Sequence, residues 1–231
     1  MIKRLKLSIS NAYLVRGERC FLVDTGCESD YLLLKKELAK EGVGFEDIAC
    51  ILHTHGHGDH AGCSARLQKE FGTPTVLHAA DELLVTRGSN GILKPASILG
   101  RLMKPFVDKP FPSFHPSMTL VDPAELSSLG FPGYAIHTPG HTAGSISLVV
   151  GGSVILGDLA SGSPLGGATV HLFVEDLAML QRSIERVLAT GARHFYPGHF
   201  SSFRSEDLAR FCQRLQKKIP DPHRDHVTRN A

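Results

Sequence analysis

Two stretches of the chain carry the same arrangement of apolar and polar positions. "AYLVRGERCFLVDTG" joins two short apolar runs through a Gly-containing turn, which predicts a β-hairpin ending at Asp24. "SISLVVGGSVILGDLASG" repeats the device with a Gly-Gly turn and ends at Asp158. A helix follows the first hairpin: Ser29 is placed to cap it, "DYLLLKKELAKEG" carries it, and Gly42 stops it. Past Asp158, "EDLAMLQRSIERVLATG" sets Leu177, Leu180, Ile184, Val187 and Leu188 on one helical face, with Gly191 as its stop. Each helix leads to a short apolar strand, "DIACIL" in the first half and "HFYP" in the second.

The halves therefore share one order: hairpin, Asp, helix, strand, His-bearing loop. Helices alternating with strands predict two packed sheets with helices outside, a four-layer αββα sandwich of the α/β class. No linker rich in Pro, Gly or Ser separates the halves, so residues 1–218 are expected to form one domain, with 219–231 as a polar tail. Residues 85–118 break the pattern. They hold five prolines and five Lys or Arg against a single acid, Asp108, and show no period of their own. A lid or pocket wall is the expectation there.

Composition narrows the class. Hydrophobic residues at 42% and charged residues at 21% are ordinary globular values, so disorder is excluded. A formal net charge of +2 gives no bulk attraction to nucleic acid or an anionic membrane, and neither is expected as a partner. The N-terminal apolar positions are interrupted by Ser, Asn and Lys, so no signal peptide is read. The longest apolar stretch is too short to span a bilayer. Five cysteines without a CxxC suit reduced thiols and a cytoplasmic setting. Histidine is the anomaly, with thirteen copies and no tag-like run.

Four of them crowd into "LHTHGHGDHAG", Leu52 to Gly62. Neutral imidazole and carboxylate are ligands of divalent first-row metals. In an extended segment, residues i and i+2 point the same way, so His55 and His57 can chelate one ion. Asp59 and His60 then fall at the start of a helix and can face a second. Further donors come from "TPGHTAGS" (His141), "ILGDL" (Asp158) and "YPGH" (His199). A carboxylate such as Asp158 can bridge two cations. Seven ligands shared between two ions leave positions open for water and substrate, as a catalytic rather than a structural site requires.

With these motifs in place, the chain resembles the metallo-β-lactamase superfamily from "VDTG" to "YPGH". The resemblance implies a first metal held by His55, His57 and His141, and a second held by Asp59, His60 and His199, with Asp158 between them. It gives Asp24 a buried place behind the metal loop. Two divalent ions are implied as cofactors: zinc first, with iron or manganese as substitutes. The remaining histidines are left out of the set. His53 and His137 suit apolar strands, His78 lies at a strand end, and His115, His194, His223 and His226 have surface roles by default. His171 is able to line the pocket but is not assigned.

The implied chemistry is hydrolysis by a hydroxide that two cations share, with Asp59 as proton acceptor. Ester, thioester or lactone-type small molecules are the expected substrates. The likeness is to the glyoxalase II branch, without the helical C-terminal domain that binds glutathione there. Alternatives within the same fold are a phosphodiesterase, a mono-iron persulfide dioxygenase and a non-catalytic binding scaffold.

Overall fold

The computed structural model describes residues 1–121, 124–126 and 129–219. The tail expected over 219–231 lies, Ile219 apart, outside the described residues. The first sheet runs in chain order: β1 (Ile2–Lys6), β2 (Asn11–Arg16), β3 (Cys20–Val23), β4 (Ile48–Leu52), β5 (Thr75–His78) and β6 (Met118–Leu120). The second contains β7 (Ala124–Glu125), β8 (Tyr134–His137), β9 (Ile146–Val150) and β10 (Ser153–Gly157). Past a small ribbon of β11 (Ser161–Gly162) and β12 (Ala168–Thr169), β13 (His194–Pro197) and β14 (Phe203–Arg204) complete it in the order β14-β13-β10-β9-β8-β7.

Both predicted hairpins form. β2 pairs antiparallel with β3, and β9 with β10. Each then continues through a helix to a parallel neighbour. Helix α1 (Tyr31–Lys40) connects β3 to β4, and α6 (Leu177–Leu188) lies between β10 and β13. The other helices are α2 (Gly58–Ala61), α3 (Ser64–Phe71), α4 (Glu82–Arg87), α5 (Ile98–Val107) and α7 (Ser205–Gln216). None of the described helices is long and apolar enough to cross a membrane.

The four layers follow from strand alternation, because successive side chains point to opposite faces. In β2, Tyr13 and Val15 point between the sheets and meet Ile146, Leu148 and Ile155. Ala12 and Leu14 point outward, against Leu34 and Leu38 of α1 and Leu67 of α3. In the second sheet, Val154, Leu156 and Phe195 face Leu180, Ile184, Leu208 and Phe211 of α6 and α7. Strands buried on both faces explain the near-continuous apolar runs in the sequence.

Three local expectations need correction. Ser29 does not cap α1; it sits in a 3-10 turn, Glu28–Asp30, and Asp30 holds the cap position. The Asp30 carboxylate instead accepts from the amides of Cys27 (3.0 Å) and Ser8 (3.2 Å). On α6, Leu177 is 40% exposed, and Ser183 is buried in the helix face, donating to the carbonyl of Pro139 at 2.7 Å. The segment 85–118 does have a period. Helix α5 forms there, started by Ser97, whose Oγ accepts from the Gly100 amide at 3.1 Å. Pro105 is tolerated because it lies in the last turn, so the chain need continue only to Val107.

That insert packs on two loops. The Asn90 carboxamide accepts from the Gly58 amide (2.8 Å) and donates to the carbonyls of Val107 and Lys109 (3.2 and 3.3 Å). Any Cβ at Gly58 would meet the Phe111 ring at 2.6 Å, so only glycine lets the insert approach this closely. On the other side, Ala96 donates to the carbonyl of Leu172 at 2.8 Å, and Lys94 accepts from the amide of Val174 at 2.9 Å.

Candidate metal centre

The seven predicted donors come from four loops at one edge of the two sheets. His55, His57, Asp59 and His60 follow β4; His141 follows β8; Asp158 follows β10; and His199 follows β13. The fold brings all seven together. Among the described residues, four sets of three donors have their ligand atoms within 4.8 Å of one another: His55–His57–His141, Asp59–His60–His199, His55–His60–Asp158 and His141–Asp158–His171. The first two are the trios that the resemblance implies. The third joins them through Asp158.

Asp158 lies at the middle. Its Oδ2 is 3.3 Å from Nε2 of His199 and of His171, 3.4 Å from that of His141, 3.6 Å from that of His60 and 4.0 Å from that of His55. Neither carboxylate oxygen makes a hydrogen bond, although both are buried. Nε2 of His55 is buried and unpartnered as well. Such groups are costly to desolvate unless something charged satisfies them. Elsewhere ring nitrogens face each other, His57 Nδ1 and His141 Nε2 at 3.0 Å and the Nε2 atoms of His60 and His199 at 3.3 Å. Lone pairs converging on a shared space with an unsatisfied carboxylate fit divalent cations.

The outward nitrogens are held by the protein, which fixes the tautomers. Nδ1–H of His60 donates to Asp24 Oδ2 (2.9 Å), that of His141 to the carbonyl of Phe173 (2.9 Å), and that of His199 to the carbonyl of Ile9 (2.7 Å). His55 Nδ1 lies 3.1 Å from Thr54 Oγ1, which itself donates to Asp24 Oδ2 at 2.7 Å. Nε2 is thereby the nitrogen each ring turns toward the shared space. His57 is the exception and turns Nδ1 inward.

Asp24 sits where the sequence put it, behind the loop. It accepts from the Thr54 amide (2.8 Å) and the Thr54 hydroxyl as well as from His60, and its backbone is left-handed at φ 59°. Burial would raise its pKa, but His60 and His53 outweigh that and lower it, so it stays a carboxylate. Gly198 makes room for Asp158: a Cβ there would meet Asp158 Oδ1 at 2.3 Å.

Charge divides the two trios. Burial and the neighbouring imidazoles hold His55 and His141 well below the ordinary histidine value, and His57 is lowered too, chiefly by burial. Burial also opposes charge on His60 and His199, yet Asp158 and Asp59 outweigh it. His60 rises well above the ordinary value, and His199 is carried up to about 10. Asp59 is drawn down by His60 and His199 against its own burial.

Two residues at the centre were not assigned from the sequence. His171 enters the site, its ring stacked on His199 at 4.9 Å between centroids. Its place in a loop without a turn motif gave no signal beyond its distance of thirteen residues from Asp158. Asp81 is buried and accepts from the Gly56 amide (2.9 Å), the Gly144 amide (2.7 Å) and Thr142 Oγ1 (2.8 Å), tying the loops of His55 and His141 together. Of the other histidines set aside, His223 and His226 lie outside the described residues. His53 bonds Ser64 through Nε2 (3.0 Å), and His78 stacks on His137 at 4.0 Å.

The family model of the metallo-beta-lactamase superfamily matches residues 5–199. The chain belongs to that superfamily. It is 30% identical over 194 residues to the probable metallo-hydrolase MJ0888 of Methanocaldococcus jannaschii, covering 82% of this chain and 87% of that protein. A beta-lactamase-like protein 2 homolog of Drosophila melanogaster is 28% identical over 84% of this chain, which spans only 60% of that protein's length. Among solved structures, a metallo-beta-lactamase family protein from Thermus thermophilus superposes with a TM-score of 0.69 at 24% identity, covering 94% of this chain and 78% of its own. TTHA1623, solved in a di-iron-bound form, has a TM-score of 0.63 at 28% identity, covering 89% of this chain and 98% of its own. The superfamily is one of metal-dependent hydrolases, and the His and Asp clusters of this chain are of the kind that binds divalent metals.

Proposed function

We propose that the chain is a two-metal hydrolase acting on an ester, thioester or lactone of a small, anionic molecule. The observation that supports it best is the position of Asp158, whose unpartnered Oδ2 lies between two complete trios of donors. His55, His57 and His141 would hold one ion, and Asp59, His60 and His199 the other. Divalent ions so held would supply Lewis acidity, lowering the pKa of a water and polarising the bond under attack.

The chain's own groups do the rest. Asp59 is the one donor carboxylate with access to solvent, its side chain 26% exposed, and its Oδ2 lies 3.4 Å from His199 Nε2. It is placed to take the proton of the attacking water. Asp24 and Asp81 keep the loops in register while the proton moves. Packed on the loops of Gly58 and Leu172, the insert 85–118 would form one wall of the approach, and its Lys94, Arg101, Lys104 and Lys109 would give it a positive field suited to an anionic head group. Zinc and iron both suit this His and Asp set, and the di-iron form of TTHA1623 makes iron a contender.

A mono-iron dioxygenase needs only one filled trio, so the second complete trio argues against it. The near-neutral net charge argues against a nuclease, and the full donor set against a metal-free scaffold. Metal analysis of the purified protein, joined to a panel of thioesters, lactones and phosphodiesters, tests the reading. Two ions per chain with turnover of a carbonyl ester are expected. One iron with oxygen consumption, or turnover of phosphodiesters alone, overturns it.

A further inference from the structure

His171 stands in the loop between β12 and α6, and the seven-donor reading gives it no work. Its Nε2 lies 3.3 Å from Asp158 Oδ2, as near as that of His199 and nearer than those of His141, His60 and His55. The ring is stacked on His199 and meets His141 edge-on, with centroids 4.8 Å apart and planes at 84°. Its Nδ1 is turned away, 3.4 Å from both the amide nitrogen and the carbonyl oxygen of Phe173, so Nε2 is the atom presented to the centre. The side chain is only 12% exposed. The donor atoms of His141, Asp158 and His171 lie within 4.8 Å of one another, the same limit that holds for each implied trio.

We propose that His171 is an eighth protein donor of the metal centre, ligating through Nε2 the ion that His141 and Asp158 share. The proposal rests on the two-metal reading above and adds an asymmetry to it. One ion then faces four imidazoles, His55, His57, His141 and His171, besides the shared carboxylate. The other, held by Asp59, His60 and His199, would have fewer protein donors and so more room for a substrate oxygen. A nitrogen-rich site prefers later first-row metals over manganese, so the two positions would also differ in which ion they select.

The test counts ligated imidazoles directly. Each imidazole that binds through one nitrogen keeps an N–H on the other. In the protein loaded with cobalt(II), those exchangeable protons appear as paramagnetically shifted signals in proton NMR. Six are expected in the wild type, one each from His55, His57, His60, His141, His171 and His199. His171→Ala should leave five. His171→Phe should do the same while keeping an aromatic ring against His199, so a packing defect in the alanine variant cannot mimic the result. Five signals in the wild type, or six that survive in both variants, overturn the proposal. Cobalt stoichiometry on the same samples separates the two readings. Fewer than two ions in the wild type defeats the two-metal reading and this proposal with it, whereas two ions with five signals defeats this proposal alone.

Discussion

Each half of the molecule sends an aspartate off the end of its hairpin, Asp24 after β3 and Asp158 after β10, beside the strand that leads to histidine. The two have opposite surroundings. Asp24 is fully engaged by Thr54 and His60, while neither oxygen of Asp158 has a hydrogen-bond partner. One frame thus offers the same position twice, once as a brace and once as a donor. What decides between the roles is the neighbouring loop. After β4 a polar loop folds back and supplies N–H and O–H groups to Asp24. After β13 the chain presents Gly198, which has no side chain to bond Asp158 and leaves it facing the histidines. A duplicated scaffold does not require duplicated chemistry.

The largest effect that tests this contrast is expected from Asp158→Asn. It should lower turnover by about a thousandfold or more, roughly 4 kcal/mol of barrier, and release an ion; rates and metal content on one sample check both. Asp59→Asn should lose most turnover while keeping much of the metal, because proton transfer contributes about 10²- to 10⁴-fold. Near-wild-type rates there remove Asp59 from the proton role. Asp24→Asn is predicted to act through its neighbours, weakening metal affinity about 10- to 100-fold as read by chelator competition. Asparagine tolerates the left-handed backbone at this position, so the loss reports the charge and not strain.

The trios should also part with pH. His60, raised well above the ordinary value, and His199, at about 10, carry protons in the neutral range that a cation must displace; His55, His57 and His141 do not. Lowering the pH from about 8 to about 6 should therefore empty the Asp59–His60–His199 position first. Metal titrations across that range, read by calorimetry, show whether the two affinities diverge in that direction. The smallest effect is reserved for the insert. Neutralising Lys94, Arg101, Lys104 and Lys109 together should raise KM for anionic substrates severalfold, with stability changed by less than about 0.5 kcal/mol per substitution. An unchanged KM removes the electrostatic role of the wall.

Much of this was legible in the residues. The two hairpins, both crossover helices and the dense loop after β4 carry local signals of period, turn and spacing. His141, Asp158 and His199 were found because each follows an apolar strand. His171 was not, because its closeness to Asp158 comes from the path of the chain after β12, a long-range property no local pattern encodes. The α5 helix was missed for the opposite reason. Its apolar positions, Ile98, Leu99, Leu102 and Phe106, are periodic but face solvent, and Pro105, one of the segment's five prolines, lies within the helix. Ser29 failed as a cap because the chain makes a 3-10 turn over Glu28–Asp30 before α1 begins, which moves the cap position on to Asp30.

The loop of His199 is not held by its own sheet alone. Strand β2 of the opposite sheet reaches it with the amide of Asn11 on the Gly198 carbonyl (2.7 Å), the Asn11 carboxamide on the carbonyls of Pro197 and Phe200 (3.0 and 2.9 Å), and the Tyr13 hydroxyl on Pro197 (2.6 Å). Any breathing that parts the two leaves of the sandwich at this edge has to break these clasps together. The amide proton of Asn11 is therefore a gauge of that parting, escaping to solvent only when the leaves separate, and its exchange clock reads the rigidity of the whole edge.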